Sequence, residues 1–195
     1  MKNSQQTAAI PADKLSKIPL IQRDLIYLFW GNLMIVHPIS PIYNHESQIL
    51  ILGSFPSVKS REEGFFYGNR QNRFWRVMAR ICGADLPQSI EGKTKLILDN
   101  RFALWDVIHS CEIEGSADST IKNVVPNDLS IILENASIKA IFVNGKKAES
   151  LYKKYIEDAV GIKAICLPST SPANASWSED GLYEYWSKMI ENVEK

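Results

Sequence analysis

The sequence predicts an α/β domain built on an open parallel sheet covered by helices. Three observations carry this. Short continuous apolar runs alternate with segments of helical periodicity. The runs lack in/out alternation, as strands buried on both faces do. Polar and small residues gather directly after the runs, where an open parallel sheet holds its ligands.

Taken in order, residues 1–19 are polar, carry Pro11 and Pro19, and read as a poorly ordered arm. The apolar stretch Leu25 to Val36 is interrupted by Gly31 and Asn32. It falls short of the roughly 20 apolar residues that span a bilayer. It also lacks a basic n-region and a small-residue cleavage site, so it is not read as a signal peptide. It reads as an element packed on the outside of the domain, or as a partly disordered extension, with Met34 a candidate start. The expected division is an extension over 1–35 and a single domain over 36–195. His37-Pro-Ile-Ser-Pro41 is an extended lead-in. The expected strands are Gln48 to Gly53, Phe102 to Val107, Lys139 to Asn144 and Ile162 to Leu167. A helix is expected where Phe74, Trp75, Val77, Met78 and Ile81 share a face, stopped by Gly83. A second runs from Ala148 to Ile156 and closes near Gly161. A third carries Leu182, Trp186, Met189, Ile190 and Val193, opened by a capping box at Ser176-Trp-Ser-Glu179.

Composition bounds the function without naming it. The 195 residues suffice for one sizeable core, and 45% apolar with 23% charged residues is ordinary for a globular protein. Lys plus Arg and Asp plus Glu are both 22, for a formal net charge of zero. This argues against a disordered chain, a histone-like polycation and a fibrous repeat. It leaves a nucleic-acid enzyme open, because binding needs only a local basic patch. Cys82, Cys111 and Cys166 are too dispersed for a zinc or iron–sulfur site. Their odd number fits a reducing compartment.

Two loops carry the chemistry. Gly53-Ser-Phe-Pro-Ser57 follows the first strand but is neither a phosphate-binding G-x-x-x-x-G-K-[ST] loop nor a G-x-S-x-G elbow. From Lys59 to Arg80, six basic residues (Lys59, Arg61, Arg70, Arg73, Arg76, Arg80) stand against Glu62 and Glu63, a local balance of +4. Phe65, Phe66 and Tyr67 are interleaved with them. That mixture suits a pocket that stacks a base beside a phosphate backbone, or else a core edge under a solvated helix face. Leu167-Pro-Ser-Thr-Ser-Pro-Ala-Asn174 follows the last strand as a stiff, hydroxyl-rich turn. It can hold phosphate oxygens or wedge into a duplex, and equally it can be a plain lead-in to a helix.

Together Leu50 to Ser60, Phe66-Tyr-Gly-Asn-Arg-Gln-Asn-Arg-Phe-Trp75 and Leu167 to Asn174 resemble the uracil-DNA glycosylase superfamily, most closely its hypoxanthine-DNA (deoxyinosine) glycosylase branch. Ala103-Leu-Trp-Asp-Val107 and Ile141-Phe-Val-Asn-Gly145 fall where that superfamily has its second and third core strands. The resemblance runs from about Val36 to Val193. It implies a three-layer α/β/α sandwich on a four-stranded parallel sheet. It also implies hydrolysis of the N-glycosidic bond of a deaminated base in DNA, as in base excision repair, with no metal or organic cofactor. Uracil is a candidate second substrate. No lysine stands at a motif position recognised for Schiff-base chemistry, which implies a monofunctional enzyme. A monomer acting on DNA in the cytoplasm, with bacterial-type activity at the nucleoid and no membrane attachment, is expected.

The chain departs from better-known branches at two places. Phe55 stands where many relatives carry a water-positioning Asp or Asn, and Leu167 where many carry His or Asn. By resemblance the catalytic role passes to Asn72, which would orient water or steady the sugar while also serving as a helix cap. Tyr67 maps to the superfamily's stacking aromatic, and Ser54 and Phe55 shape the base pocket. Asp106, at the end of the second strand, would read the base or play a structural part; His109 is a helper or structural. Lys59, Arg70, Ser169, Thr170, Ser171 and Asn174 are the expected DNA contacts. A non-catalytic damage-binding module on the same fold is the alternative. A serine hydrolase using Ser54 or Ser57 with His109 is the least supported reading.

Overall fold

A computed structural model of the chain describes residues 34–191. The polar arm, the Leu25 to Trp30 segment and Val193 lie outside the described residues. Met34 opens the described unit. Strand β1 (Ile35–Val36) belongs to it.

The four expected strands form one parallel sheet. They are β2 (Ile49–Gly53), β3 (Phe102–Asp106), β6 (Ala140–Asn144) and β7 (Ala164–Leu167), in the order β3-β2-β6-β7. Leu50, Ile51, Leu52, Ala103, Leu104, Ile141 and Val143 have no exposed surface. Such burial on both faces is why the runs are apolar without alternation. Helix α3 (Ile90–Asp99) packs on β3, and α5 (Lys146–Tyr155) packs on β6 and β7. The β2-to-β3 and β6-to-β7 connections run toward opposite edges of the sheet. Right-handed crossovers therefore put their helices on opposite faces, giving three layers. Between β2 and β6 the connection direction reverses, which opens a crevice at the carboxyl ends of the strands.

Other elements depart from the sequence expectation. Strand β3 stops at Asp106, and after Val107 the chain enters β4 (Ile108–Glu112). With β1 and β5 (Lys122–Pro126), β4 makes a second, antiparallel sheet in the order β1-β4-β5. Val107 N–H donates to Gly53 O and Ile108 N–H to Ser54 O, which ties this departure to the first loop. The buried Asn127 side chain donates to the carbonyls of Asp106 and Ile108 and so braces the bend.

Helices α1 (Val58–Glu63), α2 (Phe74–Ile81), α4 (Ser130–Leu133) and α6 (Glu157–Val160) fill the connections. The C-terminal segment is two helices, α7 (Glu179–Trp186) and α8 (Lys188–Glu191). The expected cap at Ser176 is not the observed one. Ser178 caps α7 by accepting from Gly181 N–H, while Ser176 Oγ donates to Asn174 Oδ1. The Glu179 carboxylate is held by Arg76 at 2.6 Å, so it is turned away from a capping box.

Candidate active site

A cavity of about 570 Å³ lies at the carboxyl ends of β2, β3 and β6. Five segments wall it: residues 53–60 after β2, Tyr67 to Asn72 before α2, Asp106, the β4–β5 connector from Ile113 to Asp118, and Asn144 with the last loop. The crevice is thus lined by residues far apart in sequence.

Asp106 is buried and fixed from two sides. Ile39 N–H donates to His37 Nδ1 at 3.1 Å, so the His37 ring proton is on Nε2. From there it is donated to Asp106 Oδ2 at 2.8 Å. Asp106 Oδ1 lies where a Cβ on Gly53 would be, at 2.1 Å. The glycine that ends β2 therefore makes room for the protein's own carboxylate. The structure gives Asp106 a structural anchor while leaving it on the cavity wall.

Tyr67 has a left-handed backbone, φ 53, an uncommon and strained state for a bulky residue. Its ring stacks on Phe74 with centroids 3.9 Å apart, and its hydroxyl accepts from Asn144 Nδ2 at 3.0 Å. Burial, followed by the Asp106 charge, pushes the phenol well above its ordinary range, so it stays protonated. Asn144 also donates to Thr170 Oγ1 and accepts from Thr170 N–H. One amide thereby joins the end of β6, the stacking aromatic and the last loop.

Asn72 lines the cavity, and its Oδ1 accepts from Phe74 N–H at 3.0 Å. The expected capping bond is present, although Arg73 is the residue that immediately precedes α2. An oxygen facing an N–H fixes the amide's orientation and leaves its Nδ2 as the uncommitted side. Ser54 and Phe55 also line the cavity. Phe55 forms an apolar wall against His37 and beneath the Arg61 guanidinium. Ser54 Oγ lies 3.1 and 3.0 Å from the two carboxylate oxygens of Asp118. Burial raises the Asp118 carboxyl above the usual range, against the Ser54 bond and Lys147, with Asp106 adding to the rise.

The expected DNA contacts divide. Lys59, Ser169 and Ser171 line the cavity. Arg70 lies on a neighbouring groove of about 510 Å³ that shares Tyr67, Asn69 and Asn72 with it. Thr170 is corrected: it is fully buried, and both its hydroxyl and its N–H are bonded to Asn144, so its side chain is not placed to meet DNA. Asn174 is half-buried. Its Nδ2 donates to Ser169 O and its Oδ1 accepts from Ser176, so its amide braces the loop from within. His109 is exposed on β4 and is not in the cavity wall; His37 is the histidine at the site.

The local basic excess is also largely paired with groups of the protein itself. Arg73 donates to the carbonyls of Thr170, Ser171, Asn174 and Trp177 and so mounts the last loop on the start of α2. Arg61 holds Pro56 O and Gly115 O. Arg76 and Arg80 pair with Glu179 and Asp180, and Lys59 pairs with Glu62 in an exposed contact.

Sequence reasoning missed His37, Asp118 and Asn144. Asn144 carried a usable signal, since it is polar at the carboxyl end of a buried strand, as Asp106 is. Among the described residues no group of three or more His, Cys, Asp or Glu is arranged to hold a metal ion. All three cysteines are free. Burial pushes the thiols of Cys82 and Cys111 up to about 11, so neither is a poised nucleophile.

Comparison with known proteins gives a consistent result. The family model described as the uracil DNA glycosylase superfamily matches residues 40–192. A protein of Methanosarcina acetivorans named hypoxanthine DNA glycosylase is 36% identical over 149 residues, covering 75% of this chain and 93% of that one. A protein of the same name from Methanosarcina barkeri is 36% identical over 137 residues, covering 69% and 85%. A solution NMR structure of a provisionally named uracil DNA glycosylase from Methanosarcina acetivorans superposes with a TM-score of 0.70 at 32% identity, covering 84% of this chain and all of that one.

Proposed function

The chain belongs to the uracil DNA glycosylase superfamily, and from that premise we propose that it is a monofunctional DNA glycosylase that removes hypoxanthine from DNA. The observation that carries this reading is the cavity at the strand ends, where Asn72, Tyr67, Asp106 and Asn144 converge. A base inside a duplex is out of reach of such a site and must be extruded into it. In this reading the flipped base stacks on Tyr67, which is backed by Phe74 and steadied by Asn144. Asp106, tethered by His37, accepts from the N1–H of hypoxanthine. Backbone groups of Ser54 and Phe55 shape the pocket. The last loop, with Ser169 and Ser171 facing the cavity and Arg73 behind it, supports the extruded strand, and Lys59 and Arg70 meet phosphates.

Glycosidic cleavage develops positive charge on the sugar and negative charge on the departing base. The donors left on the Asn72 amide suit the departing base, where negative charge develops, while its oxygen is bonded to the α2 terminus. Uracil is proposed as a second substrate, since its N3–H offers Asp106 the same donor. The chain is proposed to act as a monomer in the cytoplasm, which fits three free cysteines. No helix among the described residues is long and apolar enough to cross a membrane.

The test is a panel of oligonucleotides carrying inosine, uracil or xanthosine, incubated with excess protein and then treated with alkali. Strand scission at inosine is the expected result. Intact strands that nonetheless bind the protein would favour a damage-binding module instead.

A further inference from the structure

No group basic enough to take a proton from water stands at either position where the sequence led us to look for it. Phe55 is apolar, and the Asn72 oxygen is engaged with Phe74 N–H. The cavity wall nevertheless contains a carboxylate from elsewhere. Asp118 sits in a 3-10 turn (Asp118–Thr120) of the β4–β5 connector. That connector is fastened to the first loop and α1: Val58 N–H donates to Ser116 Oγ at 2.9 Å, and Arg61 reaches Gly115 O. Ser54 Oγ is the one side-chain donor on the Asp118 carboxylate among the described residues, although such a group accepts about four hydrogen bonds. Asp118 is half-buried, so acceptor positions beyond the Ser54 bond are left for a molecule in the cavity it lines. That cavity also contains Asn72 and Asp106.

We propose that Asp118 is the residue that orients and deprotonates the hydrolytic water. This rests on the glycosylase reading and deepens it. The water oxygen bonds to the anomeric carbon as the bond from that carbon to N9 breaks, and the bonding pair leaves with the base. The water proton passes to the Asp118 carboxylate. It is then returned to the hypoxanthine anion through solvent, so that one water is consumed and a free sugar hydroxyl and neutral hypoxanthine result. Ser54 is the positioning residue that holds the carboxylate toward the cavity.

The raised Asp118 carboxyl gives this step a pH signature. The groups facing it are Lys147, Asp106, Cys111 and Tyr67. The excision rate should rise with pH as Asp118 ionises, in a limb lying above the usual carboxylate range.

The experiment is single-turnover excision from an inosine-containing duplex between about pH 5 and about pH 9, with binding to a tetrahydrofuran abasic duplex measured in parallel. Asp118→Asn keeps an acceptor for Ser54, so a merely structural Asp118 predicts a rate within about threefold of the parent. The proposed role predicts a loss of roughly 100-fold, disappearance of the acid limb, and abasic binding changed by less than about threefold. Ser54→Ala removes the donor that favours ionised Asp118, so the limb should move to higher pH. A near-parental Asp118→Asn, an unmoved limb in Ser54→Ala, or equal losses of binding and cleavage would each overturn the proposal. Failure of the parent protein to cleave inosine would instead remove the functional reading, and this inference with it.

Discussion

At the scale of single residues, the Asn72 amide is divided between two tasks. Its oxygen closes the start of α2 through Phe74 N–H, and its nitrogen is left for chemistry. The two tasks can be separated by substitution. Asn72→Asp keeps an oxygen for the cap and removes the donors. It should leave the melting temperature nearly unchanged while lowering single-turnover excision by roughly 100-fold, the scale of one lost transition-state donor. Asn72→Ala should lose excision similarly and also about 1 kcal/mol of stability with the cap. Calorimetry beside the oligonucleotide assay separates these outcomes; a fully active Asn72→Asp would refute the donor role. Gly53 teaches a related lesson. Its missing Cβ makes room for Asp106 Oδ1, a neighbour 53 positions away that nothing local in the sequence announces.

At the scale of elements, the last loop depends on an arginine that the sequence counted toward DNA binding. The Arg73 guanidinium gathers four main-chain carbonyls, from Thr170, Ser171, Asn174 and Trp177. A planar fork can serve several acceptors where an ammonium cannot. Arg73→Lys should therefore destabilise the protein by about 2–3 kcal/mol, or roughly 4–12 °C in melting temperature. It should also weaken binding to abasic DNA. A thermal melt within about 1 °C of the parent would show that the clamp contributes little.

The same scale explains what was legible. Three of the four parallel strands announced themselves because burial on both faces demands unbroken apolar runs; β7, at the sheet edge, exposes Ile165. The antiparallel sheet did not. Ile108-His-Ser-Cys-Glu112 has no clean alternation, and β1 is two residues long. Helix α3 went unmarked because it buries little beyond Leu96 and Ile97. At the site, the residues within motifs were readable. His37 and Asp118 were not, because their partners lie 69 and 64 positions away and nothing local marks the pairing.

At the scale of the whole molecule, a net charge of zero is partitioned rather than uniform. The basic excess between Lys59 and Arg80 is mostly committed to carbonyls and carboxylates of the protein itself. Among the described residues of that segment, Arg70 has no side-chain partner, and Lys59 and Arg80 have only exposed ion pairs, with Glu62 and Asp180. Exposed pairs of that kind exchange readily for a phosphate. The logarithm of DNA affinity against the logarithm of salt should then have a slope of only about −2 to −3. Lys59→Ala and Arg70→Ala should each flatten it by roughly 1. Fluorescence anisotropy over a salt series measures this. A slope steeper than about −6 would mean that many more cations meet the backbone.

The Arg73 clamp has a further consequence for how such a protein can change over generations. It grips the loop only by its main chain, so the mount is blind to what the loop displays. Pro172 and Ala173, exposed at the tip, bear none of the fastening through their side chains. The tip can be exchanged like a bit in a chuck, with the handle unaltered. Contacts to the extruded strand can then vary at Pro172 and Ala173 while the mount of the loop stays intact.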